Sequence, residues 1–162
     1  IAKQELSTWP VFGILAKLAR TIFISRSSSS AVKQLQLIEH VLFRSERLIL
    51  FPEGTSSDGR KVLPFKPSLF EAPIQADAIV QPLTIRYEKI NGMPVDLRSK
   101  PLLAWYGAMD LLPHLWQSLS VGTITIKIVF HKPIRAIVFS NRKKLASHCQ
   151  KIIALESEKS NQ

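Results

Sequence analysis

Between Leu48 and Gly59 the chain reads LILFPEGTSSDG, and this stretch holds the side chains best placed to do chemistry. Four apolar residues, Leu48 to Phe51, stop at Pro52; an acid, a glycine and three hydroxyl residues follow, closed by Asp58-Gly59. The pattern predicts a buried strand that ends abruptly and presents a polar loop at its carboxyl end, the edge of an open α/β sheet where ligands bind. Pro52 ends the strand by removing a backbone donor and fixing φ. Gly54 lets another group approach the backbone closely and admits a positive φ. Glu53 stands between them, too near the sheet for ordinary surface decoration. The same residue types also mark any strand-to-loop exit, so spacing alone leaves a plain turn open as well.

The flanking chain has to supply the elements that hold such a loop. Trp9 to Arg20 is short and apolar, with Pro10 suited to a first helical turn and Lys17 and Arg20 near its end. It fits a buried helix, or an interfacial one with Trp9 and Phe12 at headgroup level. Thr21 to Ile24 reads as a short buried strand. Ser27 to Ser30 can cap a helix over Ala31 to Arg47, in which Leu35, Ile38, Val41 and Leu42 line one face. With strand 48–51 this forms a strand-helix-strand unit, expected to be parallel and right-handed. The expected class is α/β, a mostly parallel sheet flanked by helices, and residues 1–162 read as a single domain.

Downstream the pattern predicts a helix over Ser68 to Ala76 and a strand over Ile79 to Tyr87, with Pro82 at an edge or bulge. A polar connector, Asn91 to Pro101, leads to two short helical pieces over Trp105 to Leu119, divided at Pro113. Thr123 to Phe130 alternates strongly and is a strand. A helix capped by Ser140 or Asn141 follows, and Glu158 to Gln162 is expected to fray.

Hydrophobic residues make up 46% of the chain, which argues against disorder. Apolar runs fall far below the roughly 18 residues of a membrane span. Cys149 is the single cysteine, so no internal disulfide forms, which fits a reducing compartment. His148 and Cys149 lack the further ligands a metal would need. The net charge of +10 is unevenly placed: seven Lys/Arg against three acids in residues 1–47, eight against seven in 48–130, seven against two in 131–162. Two basic flanks suit an anionic membrane surface or phosphate-bearing substrates. Nucleic acid would attract the same charge. Zinc-finger spacing, an RNP-like aromatic block and a glycine-rich basic arm are all missing from the sequence, so nucleic acid is not an expected partner.

Phe51-Pro52-Glu53-Gly54-Thr55 resembles the FPEGT block of the glycerolipid acyltransferases, which include the lysophosphatidic acid acyltransferases. Thr21 to Arg26, TIFISR, resembles that family's second block, and Val80 to Leu83, VQPL, its fourth. Leu63 to Lys66, LPFK, sits where the family often has a similar phrase. The resemblance covers roughly residues 1–135. It implies a glycerol-3-phosphate acyltransferase-like fold and a transferase that moves a fatty acyl group from acyl-CoA or acyl-carrier protein to a lysophospholipid hydroxyl, lysophosphatidic acid foremost. The substrate-binding residues it implies are Arg26, Phe51, Pro52, Glu53, Gly54, Thr55, Ser56 and Pro82. Arg26 would meet the acceptor's phosphate, which a guanidinium fork matches in geometry and charge; Pro82 would shape the pocket. No metal or organic cofactor is implied beyond the thioester donor. The expected partners are the lysophospholipid, the acyl thioester and a membrane surface, at its cytoplasmic face.

Acyl transfer to an alcohol also needs a base for the hydroxyl proton and donors for the developing oxyanion. The family supplies the base from an N-H-x-x-x-x-D block. Here His40, His114, His131 and His148 are followed five residues later by Ser45, Leu119, Ala136 and Ile153. No catalytic base is therefore expected in this chain. Either the His/Asp pair lies upstream and the sequence is amino-terminally truncated, or the chain is an inactive relative that binds lipid or phosphate. Two departures touch the acceptor: Ser25 stands where the family commonly has Asp, and Ser56 where it often has Arg. Less charge for a phosphate makes another lysolipid, such as lyso-ornithine lipid, the alternative acceptor.

Overall fold

The computed structural model describes residues 2–3, 18, 23–24, 31–44, 46–96 and 98–159. Arg26 and the expected helix Trp9 to Arg20, Leu18 apart, lie outside the described residues. Strand β1 (Ala2–Lys3) pairs in parallel with β2 (Phe23–Ile24). Helix α1 (Ala31–Phe43) ends short of Arg47; Arg44 N–H donates to His40 O and Glu46 N–H to Val41 O, winding off the last turn and satisfying its carbonyls. A 3₁₀ turn (Pro67–Phe70) runs into α2 (Glu71–Gln75). Ile38 of α1 and Ala72 of α2 are buried together, with Leu35, Val41, Leu42 and Leu48 packed around them.

The mostly parallel sheet is not what the chain forms. Strand β3 (Ile79–Val80) pairs antiparallel with β7 (Ile134–Arg135), and β4 (Leu83–Ile90) lies antiparallel between β5 (Met93–Pro94) and β6 (Ile124–Phe130). The reason is visible in the residues. Strand β4 alternates exposed and inward positions along its length, the habit of a sheet with one covered face, whereas parallel strands read as continuous apolar runs. Asn91 and Gly92 both have positive φ, +50° and +82°, and join β4 to β5 as a two-residue hairpin. That Asn-Gly pair lies at the start of the expected polar connector, which the structure turns into a hairpin.

Leu48 to Phe51 belongs to none of the described sheets, so the expected strand and the parallel strand-helix-strand unit are corrected. Leu48 packs on α1 and α2, while Ile49 and Phe51 stand exposed. The expected strand 79–87 divides at Gln81-Pro82 and then runs on to Ile90. Proline has no N–H for the ladder; its carbonyl accepts from His131 N–H at 3.0 Å, and Gln81 Nε2 donates to His131 O at 3.2 Å. Helices α3 (Lys100–Leu103) and α4 (Leu111–Ser120) replace the two pieces expected over 105–119. Pro113 lies in the first turn of α4, where the missing N–H has no partner to lose, so it does not divide the helix.

A second 3₁₀ turn (Ala136–Val138) precedes α5 (Arg142–Glu158). Asn141 caps α5, its Oδ1 accepting Lys144 N–H at 3.0 Å. The inner face of α5, Leu145, Ala146 and Cys149, packs with Phe65, Phe70 and Ala136 to form the larger core. Toward its carboxyl end α5 meets the sheet through Arg86, which reaches Glu156 and Glu88, each at 3.2 Å.

Lys159, bonded to Glu156, and then Arg86 and His131 hold the Glu156 carboxyl below its ordinary value of 4.5, against the opposing pull of burial. A depressed folded pKa means stability present above 4.5 and lost as pH falls through the folded value. Glu156→Gln should therefore differ from the wild type in Tm most at neutral pH, the gap closing on acidification. Thermal melts from about pH 7 to about pH 3 check this; a gap that stays constant would mean that the carboxylate's charge contributes nothing.

Candidate functional site

Phe51-Pro52-Glu53-Gly54 is a β-turn: Gly54 N–H donates to Phe51 O at 3.2 Å, with proline second and glycine fourth, as such turns prefer. Lys66 N–H donates to Pro52 O at 2.9 Å and draws the two ends of the intervening segment together, closing an Ω-type loop. Within it, Asp58-Gly59 makes the turn its sequence predicts. Asp58 Oδ1 accepts Arg60 N–H at 3.0 Å, and Ser57 Oγ accepts Gly59 N–H at 3.3 Å.

Two features fix the mouth of the loop. Gly54 has a φ of +65°, which an L side chain adopts only at a cost. A Cβ there would also lie 2.5 Å from Lys66 Nζ and 2.9 Å from Cε, so the lysine side chain lies directly across the glycine. Lys66 is held at its base by its neighbour: Phe65 is buried and stacks on Phe70, ring centroids 6.2 Å apart and planes 14° from parallel. Glu53, at the third position of the turn, is half-buried. Burial pushes its carboxyl above the ordinary value, partly opposed by Leu63 N–H, which donates to it. Thr55 and Ser56 continue the turn on the exposed side, Thr55 Oγ1 donating to Ser56 O at 3.4 Å.

The structure thus gathers Phe51, Pro52, Glu53 and Gly54 in one turn, with Thr55 and Ser56 next to it. It adds Lys66, which the sequence offered only as part of the LPFK phrase. The signal was there to use: a lysine directly after an apolar-Pro-Phe run is anchored by the phenylalanine. Pro82 is bonded toward His131 at the break between β3 and β4. Arg26 lies outside the described residues.

An ammonium, a partly desolvated carboxyl and two hydroxyls around an open turn suit a polar head group carrying negative charge. They do not make an acid–base pair. Among the described residues no histidine is hydrogen-bonded to a carboxylate: His114 Nε2 meets Pro101 O at 3.0 Å, His131 Nε2 meets Thr84 Oγ1 at 2.8 Å, and His148 packs its ring on Phe139. Burial pushes the Cys149 thiol up to about 11, which makes it a core residue and no nucleophile. Among the described residues no three His, Cys, Asp or Glu side chains gather to hold a metal. No described helix is long and apolar enough to cross a membrane.

Gly54→Ala should cost roughly 1–2 kcal/mol in stability, from the left-handed backbone alone, since the end of Lys66 can swing aside. Urea denaturation of Gly54→Ala and of Gly54→Ala/Lys66→Ala should give nearly the same loss. A double variant restored to wild-type stability would instead place the cost in the clash with the lysine.

The acyltransferase family matches residues 1–86, a span that contains the whole loop. The chain is similar to the lyso-ornithine lipid O-acyltransferase of Brucella abortus (strain 2308), 39% identical over 154 residues that cover 90% of this chain and 58% of the relative. It is similar to the 1-acyl-sn-glycerol-3-phosphate acyltransferase of Neisseria gonorrhoeae, 34% identical over 131 residues, 80% of this chain and 49% of that one. Among solved structures it superposes on the 1-acyl-sn-glycerophosphate (LPA) acyltransferase, PlsC, from Thermotoga maritima, with a TM-score of 0.64, 22% identity, and coverage of 98% of this chain and 54% of that one. The likeness shows a shared fold. The chain spans about half the length of the relatives it matches.

Proposed function

The chain belongs to the acyltransferase family, and from that premise we propose that the whole protein moves a fatty acyl group from a thioester donor, acyl-CoA or acyl-carrier protein, to the hydroxyl of a lysolipid. The observation that carries this reading is the FPEG turn closed by Lys66 over Gly54, inside the span the family matches. In the reaction the acceptor oxygen attacks the thioester carbonyl carbon. The C–O bond forms, the C–S bond breaks, and the hydroxyl proton passes to a base and on to the departing thiolate. We assign the base to a histidine–aspartate pair outside these 162 residues, a reading that relatives of nearly twice the length support. Residues 1–162 are then one part of a single acyltransferase domain that works at the cytoplasmic face of a membrane.

In this reading Lys66 of the loop supplies positive charge to the acceptor's head group and Glu53 orients it, while Arg26 keeps the phosphate-binding role that the family resemblance implies. Pro82 is kept as a shaping residue at the break in the sheet. Lysophosphatidic acid is the acceptor that the motif pattern puts first. Lyso-ornithine lipid is the second reading, and two observations favour it: Ser56 replaces a cation at the end of the FPEGT block, and three lyso-ornithine lipid O-acyltransferases match at 35–39% identity over 154–155 residues. An ornithine head group carries its own ammonium beside a carboxylate, and so asks less positive charge of the protein than a phosphate does.

The complete enzyme, supplied with a labelled acyl thioester and either acceptor, decides between them by the ratio of kcat/KM. Arg26→Ala should raise KM at least tenfold for a phosphate-bearing acceptor, a charge-assisted bond being worth about 1.5–3 kcal/mol; unchanged kinetics on lysophosphatidate exclude that role. Glu53→Gln separates activity from stability. The raised pKa means that ionised Glu53 lowers stability as pH rises through it, so the variant should melt no lower than wild type at neutral pH. Its kcat/KM should nonetheless fall by about tenfold. Full activity in that variant would remove Glu53 from the site.

A further inference from the structure

The basic carboxyl-terminal flank is sorted by the fold. Of the seven Lys and Arg in residues 131–162, Arg135 pairs with Asp77, Arg142 with Glu71 at 2.8 Å, and Lys159 with Glu156 at 2.9 Å. Lys132, Lys143, Lys144 and Lys151 have no ion pair among the described residues, and three of these four stand on α5. Helical spacing puts Lys143, Lys144, Ser147, His148 and Lys151 on one face, opposite the buried Leu145, Ala146 and Cys149. These five, with Phe139, line an open hollow of about 470 Å³. The Phe139 ring packs on the His148 imidazole with centroids 5.1 Å apart, giving the hollow an aromatic wall. Ile137 and Val138, directly before Phe139, are 57% and 74% exposed.

We propose that this face of α5 is the surface by which the protein sits on an anionic lipid bilayer. The inference rests on the lysolipid reading above and deepens it. Three unpaired lysines around one hollow offer point charges to lipid phosphates. The exposed Ile137 and Val138 beside them can enter the boundary between head groups and acyl chains. Charge complementarity is local: the acids of α5, Glu156 and Glu158, stand at its far end, and Glu156 is bonded to Lys159 and Arg86. The inner face of the same helix packs on Phe65, whose neighbour Lys66 closes the acceptor loop. A bilayer held by α5 therefore holds the loop in fixed relation to the surface where its acceptor lies.

The test is sedimentation of the full chain with vesicles of phosphatidylglycerol and phosphatidylcholine, against vesicles of phosphatidylcholine alone. Lys143→Gln/Lys144→Gln/Lys151→Gln should lower partitioning onto the anionic vesicles on the order of 100-fold, near 1 kcal/mol for each lysine. Removing the same charge as Lys89→Gln/Lys127→Gln/Lys132→Gln should change it by no more than about threefold. Circular dichroism verifies that both variants are folded. Equal losses in the two variants, unchanged binding in the first, equal binding to uncharged vesicles, or tighter binding to an oligonucleotide or an acidic protein would each overturn the proposal. In the complete enzyme, the α5 variant should keep activity on detergent-dispersed lysolipid and lose it on vesicle-borne lysolipid. An enzyme that acylates no lysolipid in detergent would sink the acyltransfer reading and leave the vesicle result to stand or fall on its own.

Discussion

The burial of Phe65 is the contact on which the candidate site depends. Its ring lies against Phe70 and the inner face of α5, and its backbone neighbour supplies the N–H that closes the loop onto Pro52. Burying a phenylalanine is worth about 1.5–3 kcal/mol. The turn needs a left-handed residue at Gly54, and Glu53 gives up part of its hydration for a single backbone donor. Neither feature stabilises the fold by itself. They persist because the chain on either side is fixed, by Leu48 in the α1–α2 cluster at one end and Phe65 in the α5 core at the other. A polar loop pinned at both ends by apolar anchors can keep an open mouth.

How much of this the sequence disclosed depends on whether the determining contact is local. The FPEG turn was legible because proline and glycine act on their own backbone. The Asp58-Gly59 turn and the Asn141 cap were legible for the same reason. Strand pairing is not local. Leu48 to Phe51 has the composition of a buried strand, yet no neighbour in the described sheets claims it. Pro82 was recognised as a break, but that the chain changes partners there, from β7 to β6, depends on residues some fifty positions away. Lys66 illustrates the opposite failure. Its phrase is legible in the sequence but its role is not, because only loop closure brings it across Gly54.

The antiparallel sheet could have been read. Strands β4 and β6 alternate in character, and Asn91-Gly92 is a hairpin signal of the strongest short-range kind. Against that signal, the apolar segments 21–24 and 48–51 on either side of a helix have the composition of a parallel unit. The only parallel pair among the described residues, β1 with β2, joins segments on that amino-terminal side.

The charge pattern completes the picture, since a net +10 would by itself push the chain apart. The ion pairs of Arg135 and Arg142 link the carboxyl-terminal flank to residues preceding the sheet, Asp77 and Glu71. Both arginines are largely solvent-exposed, and pairs of that kind add little stability. Their consequence is one of placement. They take up the cations nearest Asp77 and Glu71 and leave the lysines on the outer face of α5 without an ion pair among the described residues. Among the described residues, a flank that looks uniformly basic in sequence thereby gathers its unpaired lysines on the outer face of the helix whose other side packs on Phe65. Charge and site are coupled through a single helix, its lysines outward and its leucine, alanine and cysteine inward against Phe65.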